Sequence, residues 1–211
     1  MDSLGMKPEE IEAESFRIID HEAGNHGCPD SEWQVVRRAI HTSADFEYAS
    51  SMVFSDDAVA KAISALRSGV GIVTDTNMAL AGVSKPRLMT LKCPLSCHIA
   101  DRDVAEQART EGITRSIAAM RKAAANPVNR IFVIGNAPTA LFELLRLVET
   151  GAARPLLIIG LPVGFVGAEE SKNALASGTH SIPFITNIGR KGGSNVAAAV
   201  VNALAILAAR P

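Results

Sequence analysis

Arg130-Ile-Phe-Val-Ile-Gly135-Asn-Ala-Pro-Thr139 is the stretch on which the fold turns. Four consecutive apolar residues without alternation fit a strand buried on both faces, the kind that parallel sheets use. The strand stops at Gly135. Asn136, with Pro138 two residues on, predicts a helix over 136–150 with Asn136 as its N-cap and the proline in its first turn. Working outward, Leu156-Leu-Ile-Ile-Gly160 repeats the strand, and a helix follows from about Ala168. Upstream, Asp56 to Leu66 reads as a helix, Gly71-Ile-Val-Thr-Asp75 as a short strand and Arg87 to Cys93 as another. Asp101 to Ala125 is helical with a break near Gly112. Downstream, Ile182 to Thr186 is the last strand and Ser194 to Ala209 the last helix. About five short apolar strands alternating with helices predict an α/β protein, a three-layer, doubly wound parallel sheet.

Residues 7–45 precede this rhythm and read as two helices packed onto the α/β core. Lys7 to Glu22 places Ile11, Ser15 or Phe16, and Ile18 or Ile19 at helical spacing, and Gly24 to Asp30 breaks the pattern. Asp30 or Ser31 then caps a helix to about His41, with Trp33, Val36 and Ile40 on its buried face. The whole chain, 1–211, is expected to form one domain.

Composition narrows the function. Hydrophobic residues at 47% and charged residues at 20% give a folded chain and exclude disorder. A net charge of −1 offers no global attraction for nucleic acid or an anionic membrane, so an anionic ligand needs locally placed donors. Aromatics at 4% supply no base-stacking platform. Val196 to Ala209, the longest apolar run, is interrupted by Asn202 and is too short to span a bilayer. The opening MDSLGMKPEE has no basic segment leading into an apolar one, so no signal peptide and a cytoplasmic location are expected.

In doubly wound sheets ligands sit beyond the carboxyl ends of the strands, and there the glycines concentrate. Gly135 to Thr139 offers free backbone N–H groups at a helix start, which would suit an anion or merely cap the helix. Gly160 to Gly167 does not have the G-x-G-x-x-G spacing, and Gly189-Arg-Lys-Gly-Gly-Ser194 separates its lysine from its serine, so neither is a nucleotide motif. Arg190 and Lys191 with flexible donors would hold a carboxylate. Cys93-Pro-Leu-Ser-Cys-His98 has no second ligand pair for zinc; the cysteines read as core or loop thiols, and no metal site is expected. Among the titratable groups His41 is the best placed. Gln34, Arg38, His41 and Asp45 lie at i, i+4, i+7 and i+11 and form one polar stripe, with Arg38 and Asp45 in reach of the imidazole to orient it. His21, His26, His98 and His180 have no comparable setting.

Read together, several segments resemble the precorrin-8X and cobalt-precorrin-8 methylmutase family of cobalamin biosynthesis. They are Ile11-Glu-Ala-Glu-Ser-Phe-Arg-Ile-Ile19, Arg38-Ala-Ile-His41, Thr114-Arg-Ser116, Ile134-Gly-Asn-Ala-Pro-Thr139, Pro162-Val-Gly-Phe-Val-Gly-Ala168, Glu170-Ser-Lys172 and Gly189 to Ser194. The resemblance covers nearly the whole chain. It implies a flavodoxin-like fold, a homodimer, and movement of a methyl group from C11 to C12 of the corrinoid ring with no cofactor. By position it implies that His41 is the catalytic acid/base and that Ser15 and Arg38 contact substrate. A polycarboxylate substrate would use the loop donors, so Asn136, Thr139, Gly164, Gly167, Arg190, Gly192 and Gly193 complete the expected site. A non-catalytic corrinoid carrier, or a phosphate-ligand enzyme of the same topology, are the alternatives; a carrier has no need of a titratable group at the ring.

Overall fold

The computed structural model describes residue 5, residues 7–178 and residues 181–210. Two helices open the chain, α1 (Pro8–Ala23) and α2 (Asp30–Ser43), followed by a single turn α3 (Tyr48–Ser51) and a strand β1 (Met52–Phe54). Next come α4 (Ala58–Arg67), β2 (Gly71–Thr74), α5 (Asn77–Gly82), α6 (Lys85–Thr90) and β3 (Leu95–Cys97). Helices α7 (Arg102–Glu111) and α8 (Arg115–Ala125) lead to β4 (Asn129–Ile134), α9 (Pro138–Glu149) and β5 (Leu157–Gly160). The chain ends through α10 (Ala168–Ser177), β6 (Phe184–Asn187) and α11 (Ser194–Ala208).

The sheet runs β1-β6-β5-β4-β2-β3. Its five parallel strands, numbered along the chain without β1, stand in the order 2-1-3-4-5, the flavodoxin-like arrangement. Successive residues face opposite layers, as the pleat requires. Ile72, Ile131, Val133, Leu157 and Ile159 pack into one core with α2, α4 and α11. Val73, Phe132, Ile134 and Ile158 pack into the other with Met120, Leu141, Leu144 and Leu175 from α8, α9 and α10. Helix α11 is apolar nearly all round because it is enclosed: it lies against the sheet and is covered by α2, α4 and α5. The N-terminal helices therefore form a further layer over α11.

Two expectations are corrected here. Arg87 to Cys93 is not a strand: α6 occupies Lys85–Thr90, with Pro86 in its first turn, where a missing N–H costs nothing. The strand begins only after Pro94. The sheet also has six strands among the described residues, not five. The addition, β1, is three half-buried residues antiparallel to β6, Val53 opposite Thr186, too short to carry a pattern. The break expected near Gly112 is present; that glycine is the left-handed C-cap of α7.

Candidate functional site

Three turns meet along the carboxyl edge. The 161–167 loop after β5 and the 188–193 turn after β6 are joined backbone to backbone: Gly193 N–H donates to Leu161 O (2.9 Å) and Gly164 N–H to Arg190 O (3.2 Å). A Cβ on Gly192 would lie 2.3 Å from Leu161 O and 2.7 Å from Pro162 O, so only glycine fits this seam. Gly167, the N-cap of α10, sits so close to the start of α9 that a Cβ on it would lie 3.4 Å from Pro138 Cβ. The predicted glycines Gly164, Gly167, Gly192 and Gly193 thus share one rim with Thr139, whose hydroxyl accepts from Thr114 Oγ1 (3.2 Å). Arg190 is exposed on this rim, its guanidinium 5.7 Å from the Phe165 ring centre.

The turn at Asn136 does not present its amides to a ligand, as the sequence suggested. Ala137, not Asn136, is the N-cap of α9. The N–H groups of Gly135, Asn136 and Ala137 donate to the carboxylate of Asp75 at 2.9, 2.9 and 2.8 Å. Both carboxylate oxygens accept, which suits the ionised form; burial pushes the Asp75 carboxyl up and the three amides pull it back. Helix start and counter-charge are matched inside the protein. Thr76 Oγ1, 2.8 Å from Ser194 Oγ, closes the same crevice between β2 and α11.

The N-terminal helices bring Ser15, Arg38 and His41 around one ring, that of Phe16. Its centre lies 5.1 Å from the His41 ring, 5.0 Å from the Arg38 guanidinium and 4.6 Å from that of Arg37. Ser15 precedes it on α1, its hydroxyl donating to Ile11 O at 2.8 Å. The polar stripe, however, is shorter than the spacing implied. Helix α2 stops at Ser43 and Ala44 is left-handed, which turns Asp45 away. Asp45 instead accepts from Lys191 Nζ, which also pairs with Glu47 at 2.7 Å. Arg38 pairs with Glu12 at 3.0 Å. His41 is therefore flanked by Phe16 rather than oriented by Arg38 and Asp45. Lys191, predicted as a free cation, is committed to Asp45 and Glu47, and its ammonium holds the Asp45 carboxyl below the usual carboxylate range. This bridge also fastens the end of α2 to the glycine rim.

Sequence reasoning missed three residues that organise the site: Asp75, Phe16 and Lys172. Lys172 is 1% exposed, and its Nζ donates to Lys191 O (2.6 Å) and Asn187 Oδ1 (3.2 Å). Its place in Glu170-Ser-Lys172 was visible, but a helical lysine reads as a surface residue until the fold encloses it. His98 also has more of a setting than the sequence showed, with Nδ1 2.9 Å from Asp101 Oδ2. His180 lies outside the described residues. Cys93 is a core thiol, donating to Leu66 O.

A flavodoxin-like sheet whose carboxyl edge carries a fused pair of glycine loops, with a histidine and an arginine on a helix tied to it, defines an α/β ligand-binding protein with one candidate acid/base. The model of the precorrin-8X methylmutase family (CbiC) matches residues 10–207, and the chain belongs to that family. It is 49% identical over 205 residues to the cobalt-precorrin-8 methylmutase of Priestia megaterium, covering 97% of this chain and 90% of the relative. With the protein of the same name from Salmonella typhimurium it shares 47% over 206 residues, 94% of each chain. The solved precorrin-8X methylmutase of Thermus thermophilus superposes with a TM-score of 0.85 at 42% identity, covering 94% of this chain and 97% of that one. The protein is thus an enzyme, a methylmutase, and an isomerase of cobalamin biosynthesis. Among the described residues no helix is long and apolar enough to cross a membrane.

Proposed function

We propose that the chain, a single domain over 1–211, moves a methyl group from C11 to C12 of a precorrin-8 macrocycle, with His41 as acid/base. One C–C bond breaks and one forms, so substrate and product are isomers and no co-reactant is consumed. Protonation of the conjugated ring by His41 lowers the barrier to migration, and the proton returns once the methyl group has moved. Arg38 and Ser15 meet carboxylate arms on the side of α1 and α2. Arg190 and the donors of the 161–167 and 188–193 loops meet others. The observation that carries this reading is the position of His41, exposed on the helix that Lys191 fastens to the glycine rim, in a chain matched by the family from residue 10 to 207.

The substrate is taken to be the cobalt form, since the relatives at 49% and 47% identity bear that name. The working unit is taken to be a cytoplasmic homodimer. A chain of 211 residues has a radius of gyration of roughly 17 Å, and a macrocycle with its acid arms is large on that scale for one domain to enclose. Phe165 and Val166, 85% and 89% exposed on the rim, are apolar surface that a second copy would cover. The test is to mix the purified protein with precorrin-8X and, separately, cobalt-precorrin-8, and to follow absorbance. Conversion of at least one is expected. Tight corrinoid binding without conversion would instead make the protein a carrier.

A further inference from the structure

Among the described residues, Lys172 is the one buried lysine or arginine, and the proposed reaction does not use it. Its ammonium lies beneath the 188–193 turn, and among the described residues no carboxylate forms an ion pair with it. Its partners are a backbone carbonyl, Lys191 O, and an amide oxygen, Asn187 Oδ1. Asn187 completes the knot: its Nδ2 donates to Lys191 O at 2.9 Å and to Ile188 O at 3.1 Å. Lys191 O therefore accepts from two buried donors, and both ends of the turn are held by one lysine–asparagine pair.

What the turn supports gives this knot a role. On one side it is seamed to the 161–164 loop through Gly192 and Gly193. On the other, the side chain of Lys191 reaches Asp45 and Glu47, just beyond the helix of Arg38 and His41. Arg190 rides on the same turn. Burying an ammonium with no carboxylate in contact, only the more distant pull of Glu169, is costly, and packing alone would be served by a methionine. A turn with three glycines in residues 189–193, seamed to a loop that holds Gly164 and Gly167, gains what an apolar side chain cannot give it: a fixed conformation.

We infer that Lys172 is a positioning residue for the corrinoid site, the internal anchor that fixes the 188–193 turn and, through it, both the glycine loops and the end of the histidine's helix. This rests on the methyl-transfer reading for its link to substrate, but the anchoring is measurable without substrate. In Lys172→Met, amide hydrogen exchange across 188–193 accelerates by about tenfold or more, while β4 and α9 exchange as in the wild type. With cobalt-precorrin-8, KM rises about tenfold and kcat stays within about threefold, because the anchor shapes binding and the acid is untouched. A variant that is merely less stable would melt earlier without that split. If Lys172→Met does not fold, Asn187→Ala, which removes one acceptor and both amide donors, shows the same pattern at smaller amplitude. Unchanged exchange across 188–193 in a folded variant would overturn the inference, as would a loss of kcat at constant KM. Failure of the wild type to convert either precorrin form would strike the methyl-transfer reading, and the exchange result would still decide the anchoring.

Discussion

Two turns on the same edge of the sheet are each saturated from within by one buried charged side chain, and the charges have opposite sign. After β4, the carboxylate of Asp75 takes the amides of residues 135–137. After β6, the ammonium of Lys172 takes the carbonyl of Lys191. The first arrangement uses up donors and leaves negative charge beneath them. The second uses up an acceptor and leaves positive charge. In folds of this topology the crevice at the first position is the usual ligand site; here its three turn amides are taken by Asp75. On the methyl-transfer reading proposed above, a polycarboxylate would meet the Lys172 side, where Arg190 also lies. The two turns differ in the buried ion behind them more than in the number of glycines they hold.

The largest effect separates chemistry from this electrostatic contrast. His41→Ala is expected to lower the rate of methyl transfer by about 10²–10⁴-fold with corrinoid affinity and melting temperature nearly unchanged, since the ring is exposed. Single-turnover absorbance traces and equilibrium titration check it, and turnover within a few-fold of wild type would place the acid elsewhere. Next comes Asp75→Ala, which strips three amides of their acceptor and should cost about 3 kcal/mol of stability, read as a shift in the urea midpoint. The same variant sharpens the contrast: millimolar phosphate should raise its melting temperature and leave the wild type's unmoved. No such gain would mean that Asp75 does not occupy an anion site.

How far the sequence foretells this contrast is uneven. The strands β2, β4 and β5 are legible because they are apolar on both faces, and their alternation with helices gives the doubly wound parallel sheet; the flavodoxin-like order comes only with the family resemblance. The β1 strand and the α6 helix are not, because three residues carry no period and Pro86 starts a helix as readily as it precedes a strand. Gly164, Gly167, Gly192 and Gly193 are legible as a glycine-rich rim; all four have positive φ, and at Gly192 the backbone of Leu161 and Pro162 leaves no room for a side chain. Asn136 misleads, since a free helix start and one filled from 60 positions upstream look alike until Asp75 is brought beside it. Asp45 misleads for the opposite reason: a stripe drawn by helical spacing ends where Ala44 turns left-handed.

Arg38→Ala is expected to weaken corrinoid binding by about tenfold while the transfer step in saturated enzyme changes little, which isothermal titration alongside single turnovers can show. The smallest effect is a pH dependence. Burial pushes the Lys172 amine down from 10.5 to about 8, against a weaker opposing pull from Glu169. A depressed value means that the unfolded chain holds this proton more tightly than the folded one, so its contribution to stability grows as pH rises from about 8 toward 10.5. From pH 8 to 9 the wild type should gain about 1 kcal/mol over Lys172→Met in denaturant titrations. A flat difference would mean that the amine ionises as it does in water.

The two outermost strands, β1 and β3, are only three residues each, at opposite margins of the sheet. Short margins leave few unpaired backbone groups, so neither offers a template on which another chain could extend the sheet. Association between copies is thereby steered away from edge-to-edge strand addition, the route that leads to open-ended fibres, and onto helices and loops, where contacts can close on themselves. Met52 to Phe54, inconspicuous in the sequence, is in this sense a safeguard of solubility at high concentration.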